Sequence, residues 1–279
     1  MSRSASPTPP SRVQARTLST SRGSFAALDA RPDGEARGTV LVIPGFTGNK
    51  DEFVPLFGPL TEAGYRAVAV DGRGQYETEG PDTEDAYAQS ELAADVLAQI
   101  EAIGAPAHVV GHSMGGQIAR AAVLLDPVPF RTLTLMCSGP AEIVPSQRER
   151  VKMLSDALAA MTMDQVWDAM RELDPLPATI TNGAFLRESW LRNNPVALTV
   201  TGRQLTVERD RVAELAAVPL PKHVLSGASD DKWPVALFDS MAERLSARRT
   251  VIPGAAHSPN RDRPLETAAA LIDFWNSHP

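Results

Sequence analysis

One stretch, Ala107-His108-Val109-Val110-Gly111-His112-Ser113-Met114-Gly115-Gly116-Gln117-Ile118-Ala119-Arg120, constrains this chain more than any other. Val109-Val110 is a short apolar run that reads as a buried strand, and it stops at Gly111. An alanine-rich helical stretch, 117–125, begins at once. Between them lies a Gly-x-Ser-x-Gly, residues 111–115. Alone, that pentapeptide also fits a glycine-rich turn carrying a surface serine. Set between a strand and a helix it reads as a nucleophile elbow, a turn so sharp that side chains at 111 and 115 would meet neighbouring backbone. The expectation is a strained Ser113 with its hydroxyl at the C-terminal edge of a sheet. A helix N-terminus beneath it would offer a free N–H and a positive dipole end to a developing oxyanion.

The pattern around the elbow predicts the architecture. Residues 13–18 and 24–29 read as two antiparallel strands about the turn Ser21-Arg22-Gly23. Thr39 to Ile43 is a continuous apolar run of the kind a central parallel strand carries, and it leads into Pro44-Gly45-Phe46-Thr47-Gly48. Phe53, Leu56, Phe57 and Leu60 mark a helix, Tyr65 to Val70 the next strand, and Leu92, Val96, Ile100 and Ile103 another helix. After the elbow come a strand at 131–136, then helical periodicity from about 141, broken by Asp174-Pro-Leu-Pro177 and resumed to about 215. Alternation returns with strands at 223–226 and 249–252 and helices at 235–245 and from Leu265 onward. Strand–helix alternation implies right-handed crossovers and a mostly parallel central sheet with helices on both faces, an α/β class. The helical run is expected to be an inserted cap. The expected division is a disordered 1–11 followed by one domain over 12–279, with its core at 12–140 and 217–279 and its cap at about 141–216.

A serine hydroxyl is a weak nucleophile until a base takes its proton, and the base needs a carboxylate to orient it. Of the five histidines, only His257 lies in a loop at the C-terminal end of a late strand, the edge that carries Ser113. It is the expected general base. His112 neighbours the nucleophile and is expected to point elsewhere. Asp230 and Asp231 both follow the strand 223–226; Asp230 is preferred and Asp231 is the alternative. The order Ser, Asp, His is a hydrolase order. Backbone N–H groups of Phe46 and Met114 are the expected oxyanion donors. Asp71 and Arg73 are read as tying a loop. Met161, Trp167 and Trp190 are candidates for a substrate pocket under the cap, on the ground that such side chains line adaptable apolar roofs.

Composition narrows the partners. The 279 residues include 43% hydrophobic and 22% charged, with a net charge of −7 and no Lys/Arg cluster. That balance argues against a nucleic-acid surface and an anionic membrane and says little about the substrate, which is expected to be a small molecule. A homo-oligomer remains open. Cys137 is the single cysteine, so an internal disulfide and a cysteine-based metal site are excluded. No metal and no organic cofactor is expected. The polar opening residues lack a signal-peptide core and no run reaches membrane-span length, so a cytoplasmic location is expected.

On Pro44-Gly45-Phe46, Asp71-Gly72-Arg73-Gly74, Gly111-His-Ser-Met-Gly-Gly116, Gly227-Ala-Ser-Asp230 with Pro234, and Gly254-Ala-Ala-His257, the chain resembles the α/β-hydrolases of the esterase/lipase superfamily. The resemblance covers nearly everything from about residue 13. In relatives the acid sits three residues after a glycine with a proline four further on, which ranks Asp230 above Asp231. The sequence departs from the family in two places: Pro44 stands where a histidine is usual, and the loop after Gly74 continues as Gln75-Tyr76. The resemblance implies a carboxylesterase-like serine hydrolase (EC 3.1), working through an acyl-enzyme on a small or medium ester. The alternatives are a C–C bond hydrolase or lyase on the same triad, and a ligand receptor on a hydrolase fold.

Overall fold

The computed structural model describes residues 13–175 and 182–279. The N-terminal segment 1–11 and Pro177 lie outside them. An antiparallel pair opens the chain, β1 (Val13–Thr20) and β2 (Gly23–Ala30), and β3 (Gly38–Ile43) follows. Then come α1 (Val54–Glu62), β4 (Tyr65–Val70), α2 (Gln89–Ile103), β5 (Ala107–His112), α3 (Met114–Leu125) and β6 (Phe130–Met136). The eight strands order as β1-β2-β4-β3-β5-β6-β7-β8, with β7 (Lys222–Gly227) and β8 (Arg248–Ile252) supplied later in the chain. β2 pairs antiparallel with β1 and β4; every other pairing is parallel.

The central strands are mostly apolar and almost wholly buried because both faces are covered. Every residue of β5 is buried, whereas β1, at one edge, is largely open to solvent. One face packs Leu92, Val96 and Ile100 of α2 with Ile118 and Ala122 of α3. The other packs Leu56, Phe57 and Leu60 of α1 with Leu271 and Phe274 of the last helix. Helix α3 starts three residues earlier than the sequence pattern suggests, since the elbow turn feeds straight into it.

Among the described residues, five helices lie between β6 and β7: α4 (Pro145–Ala160), α5 (Met163–Leu173), α6 (Gly183–Leu191), α7 (Pro195–Val207) and α8 (Val212–Ala216). Among the described residues this segment contains no strand. Helix α5 opens on a capping box between Thr162 and Gln165, and Asn194 caps α7 by accepting from the Val196 and Ala197 amides. Arg120, buried on α3, grips both ends of the segment. Its guanidinium donates to the Pro140 carbonyl at 2.8 Å and pairs with Glu208 at 2.5 Å. The chain closes with α9 (Val235–Leu245), α10 (Pro259–Asp262) and α11 (Pro264–Asn276). Among the described residues no helix is long and apolar enough to cross a membrane.

Candidate active site

Ser113 sits between β5 and α3 with φ 53° and ψ −121°, a left-handed conformation that costs a non-glycine residue energy. Its neighbours explain why the turn is glycine-flanked. A Cβ on Gly111 would lie 2.5 Å from the Gly115 carbonyl oxygen, and one on Gly115 would lie 2.5 Å from the carbonyl oxygens of Ile43 and Pro44. No side chain fits at those distances. Met114 is the first residue of α3, so its N–H has no acceptor within the helix.

The loop after β7 carries Asp230. One carboxylate oxygen accepts from the amides of Lys232 (2.8 Å) and Trp233 (3.2 Å), which leaves the other for His257. His257 lies on the loop after β8, and its Nδ1 is 2.8 Å from Asp230 Oδ2. Burial pushes the Asp230 carboxyl up. The hydrogen bond and charge of His257, with the two amides, outweigh it and hold the group below the usual carboxylate range. A carboxylate in that position accepts the Nδ1 proton, which leaves the lone pair of the neutral ring on Nε2. Asp231 is exposed and pairs instead with Lys232.

Ser113 and His257 line one cavity of about 210 Å³, together with the Gly45–Gly48 loop. Part of its wall comes from the helical segment, through Ile143 just before α4, Gln147 and Val151 on α4, and Leu205 of α7. Phe46 belongs both to this wall and to the apolar cluster beneath α4 to α7. The pocket candidates fall elsewhere. Met161 is 46% exposed; Trp190 is buried against Val166 and Leu198 and donates to the Met163 carbonyl; Trp167 packs in the same cluster under the Arg171 guanidinium. The apolar faces of α5 and α6 turn toward each other and toward α4 and α7, so Trp167 and Trp190 pack helix on helix, and none of the three lines this cavity.

Three neighbours have no signal in the sequence motifs. His112 does not point away into the core alone: its Nε2 is 2.8 Å from the His257 carbonyl oxygen. That oxygen can only accept, so Nε2 carries the proton. Burial, then the His257 charge, push the His112 ring down to about 3, so it stays neutral. Trp233 stacks at a tilt on His257 with centroids 6.1 Å apart. Glu52 enters the cavity wall; burial raises its carboxyl, and Arg261 comes within 3.9 Å.

Asp71 and Arg73 are occupied elsewhere. Asp71 accepts from the Lys50 amide and ammonium, and Arg73 pairs with Asp95 of α2. Cys137, Asp230 and His257 are the one trio among the described residues whose ligand atoms come within 4.8 Å of one another. They do not suit a metal ion: Asp230 and His257 already bond each other, and burial keeps the Cys137 thiol well above its ordinary range and so protonated.

A model of the alpha/beta hydrolase family matches residues 40–270. A hydrolase of 2-hydroxy-6-oxononadienedioate and 2-hydroxy-6-oxononatrienedioate from Dechloromonas aromatica is 30% identical over 190 residues, 63% of this chain. The chain spans 64% of that relative's own length. Two solved esterases share the fold. The one from Exiguobacterium antarcticum has a TM-score of 0.77 at 18% identity, over 94% of this chain and all of the other. The one from Thermogutta terrifontis has a TM-score of 0.75 at 19% identity, over 95% and 100%.

Proposed function

We propose that this chain, which belongs to the alpha/beta hydrolase family, is a serine hydrolase acting on a small or medium acyl substrate, a carboxylic ester foremost. The observation that carries this reading is the 2.8 Å bond from His257 to the solvent-shielded carboxylate of Asp230, with His257 opening on the same cavity as a strained Ser113. Ser113 Oγ attacks the acyl carbonyl while His257 Nε2 takes its proton. Asp230 holds the ring and balances its positive charge. The amides of Phe46 and Met114 receive the oxyanion. His257 returns the proton to the leaving alkoxide, and water, activated by the same ring, clears the acyl-enzyme. The cavity of about 210 Å³ supports a compact substrate, and the helical segment serves as its roof.

A second reading keeps the triad and changes the bond cleaved, and the Dechloromonas relative favours it. The dioate in that relative's name is doubly acidic, however. Among the described residues the cavity wall here offers one basic side chain, Lys232, already bonded to Asp231, and it also carries Glu52. That wall suits a neutral ester better than a dianion. Fluorophosphonate labelling read by intact mass tests the first reading: one adduct on the wild type, none on Ser113→Ala. Turnover of small and medium carboxylic esters should fall by ~10⁴-fold or more in that variant. No adduct on folded wild type would put a ligand-binding role in its place, and faster turnover of a 2-hydroxy-6-oxo-dienedioate than of any ester would favour the second reading.

A further inference from the structure

The two places where the sequence departs from the family pattern meet in space. Gln75 is buried at 8% exposure, and its side chain spans two loops. Oε1 accepts from the Gly72 amide at 2.9 Å; Nε2 donates to the Gly45 carbonyl at 2.8 Å and to the Phe46 carbonyl at 3.3 Å. Chemistry forces that orientation. A backbone N–H can only donate and a carbonyl oxygen can only accept, so the amide group has one way round. The fit is close: a Cβ on Gly72 would stand 2.6 Å from Gln75 Oε1.

The Gly45 carbonyl and the Phe46 N–H are opposite ends of one planar trans peptide. Fixing one fixes the direction of the other. The Gly48 amide also reaches the Gly45 oxygen, at 3.2 Å, but that bond closes a turn within the loop and orients the loop only against itself. Gln75 attaches it to the neighbouring loop. That loop is itself braced: Gln75 N–H donates to Gly72, Thr78 N–H donates to Gln75, and Asn194 N–H of the helical segment donates to the Gly74 carbonyl. Pro44 has no side-chain donor to offer in place of the usual histidine. We propose that Gln75 is a positioning residue for the oxyanion pocket, holding the Gly45–Phe46 peptide so that its N–H points at the carbonyl oxygen of the bound acyl group. The inference rests on the serine-hydrolase reading above.

An oxygen ester and its matching thionoester separate positioning from general loosening. The thiocarbonyl sulfur is a poor hydrogen-bond acceptor, so thionoester turnover draws little on the Phe46 N–H. Gln75→Leu removes all three side-chain bonds at similar volume, and Gln75→Glu keeps the acceptor toward Gly72 while losing the donor. In both, kcat on the ester should drop roughly 10- to 100-fold with KM within about threefold, by analogy with a misplaced oxyanion donor. The thionoester rate should move only a few-fold, so the ester-to-thionoester ratio falls by roughly 3- to 30-fold. Equal loss on both substrates, or no loss, overturns the assignment, as does failure of both variants to fold by thermal melting. Wild type that neither turns over esters nor takes a fluorophosphonate overturns the hydrolase reading and this inference with it. Wild-type turnover with an unchanged ratio in the variants overturns the Gln75 assignment alone.

Discussion

Asp71 and Asp230 each follow a strand of the same sheet, β4 and β7, and both side chains are completely shielded from solvent. Each accepts two backbone amides and one charged or chargeable side chain. The difference is the partner. Asp71 meets Lys50, a cation that is itself only 2% exposed and that also touches Glu77 and Asp51. Burial pulls that ammonium down, but the charges of Asp71, Glu77 and Asp51 outweigh it. Asp71 bears the cost of burial and is pushed up to about 6. Asp230 meets an imidazole whose far side opens on a cavity, and it stays below the ordinary range. Burial is therefore no guide to chemistry at this sheet edge. A pair sealed on all sides ties loops together. A pair with one nitrogen left toward a cavity has a proton to move.

Exchanging each aspartate for asparagine separates the two roles. Asp230→Asn leaves the size of the side chain and the two loop amides in place but removes the charge that orients and balances His257. On the proposed mechanism a loss of ~10⁴ in kcat is expected, with melting little changed, as when a catalytic triad is stripped of its acid. Urea or thermal unfolding alongside ester kinetics measures both. A loss under tenfold would place Asp230 with the structural group. Asp71→Asn should do the reverse. It leaves the Lys50 ammonium with Glu77 and Asp51 as its remaining partners, and unfolding should come about 2–4 kcal/mol more easily at pH 7. The folded fraction should keep kcat within about tenfold. A larger kinetic than thermodynamic effect would erase the contrast.

The contrast also marks what a sequence can disclose. The elbow is legible because it is compressed into five residues: Gly111 faces backbone four and five residues on, and Gly115 the adjoining strand end, at 2.5 Å. The sheet is legible because β3 to β6 are largely buried on both faces and carry apolar stretches that recur between helical patterns. The cavity wall is not. Helix α4 contains no fully buried residue, and its stripe is shared among several neighbours, so periodicity reports a helix without saying which side meets Ser113. Val151 and Leu205 reach the cavity while Met161, in the same segment, faces solvent. Gln75 and His112 acquire their meaning from carbonyls 30 and 145 residues away in the chain, and no local pattern encodes such a contact.

The smallest effect gives the sharpest version of the comparison, because its sign runs against intuition. An ion pair that stabilised through charge would make Asp71→Asn most harmful where the carboxylate is ionised, near neutral pH. Asp71 is raised to about 6 in the folded protein from an ordinary value near 3.8, so between those limits the native state binds the proton that the unfolded chain has released. Native stability then falls as pH rises through that window, and the asparagine variant lacks the fall. The gap between wild type and Asp71→Asn should therefore narrow by about 1 kcal/mol from pH 5 to pH 7. Asp230 lies below its ordinary value, so its contribution is complete by pH 5 and lost only in stronger acid. Urea melts of wild type and Asp71→Asn at pH 5, 6 and 7 decide it. A gap that widens with pH would mean that Lys50 governs the pair, and that Asp71 is ionised throughout, as Asp230 is.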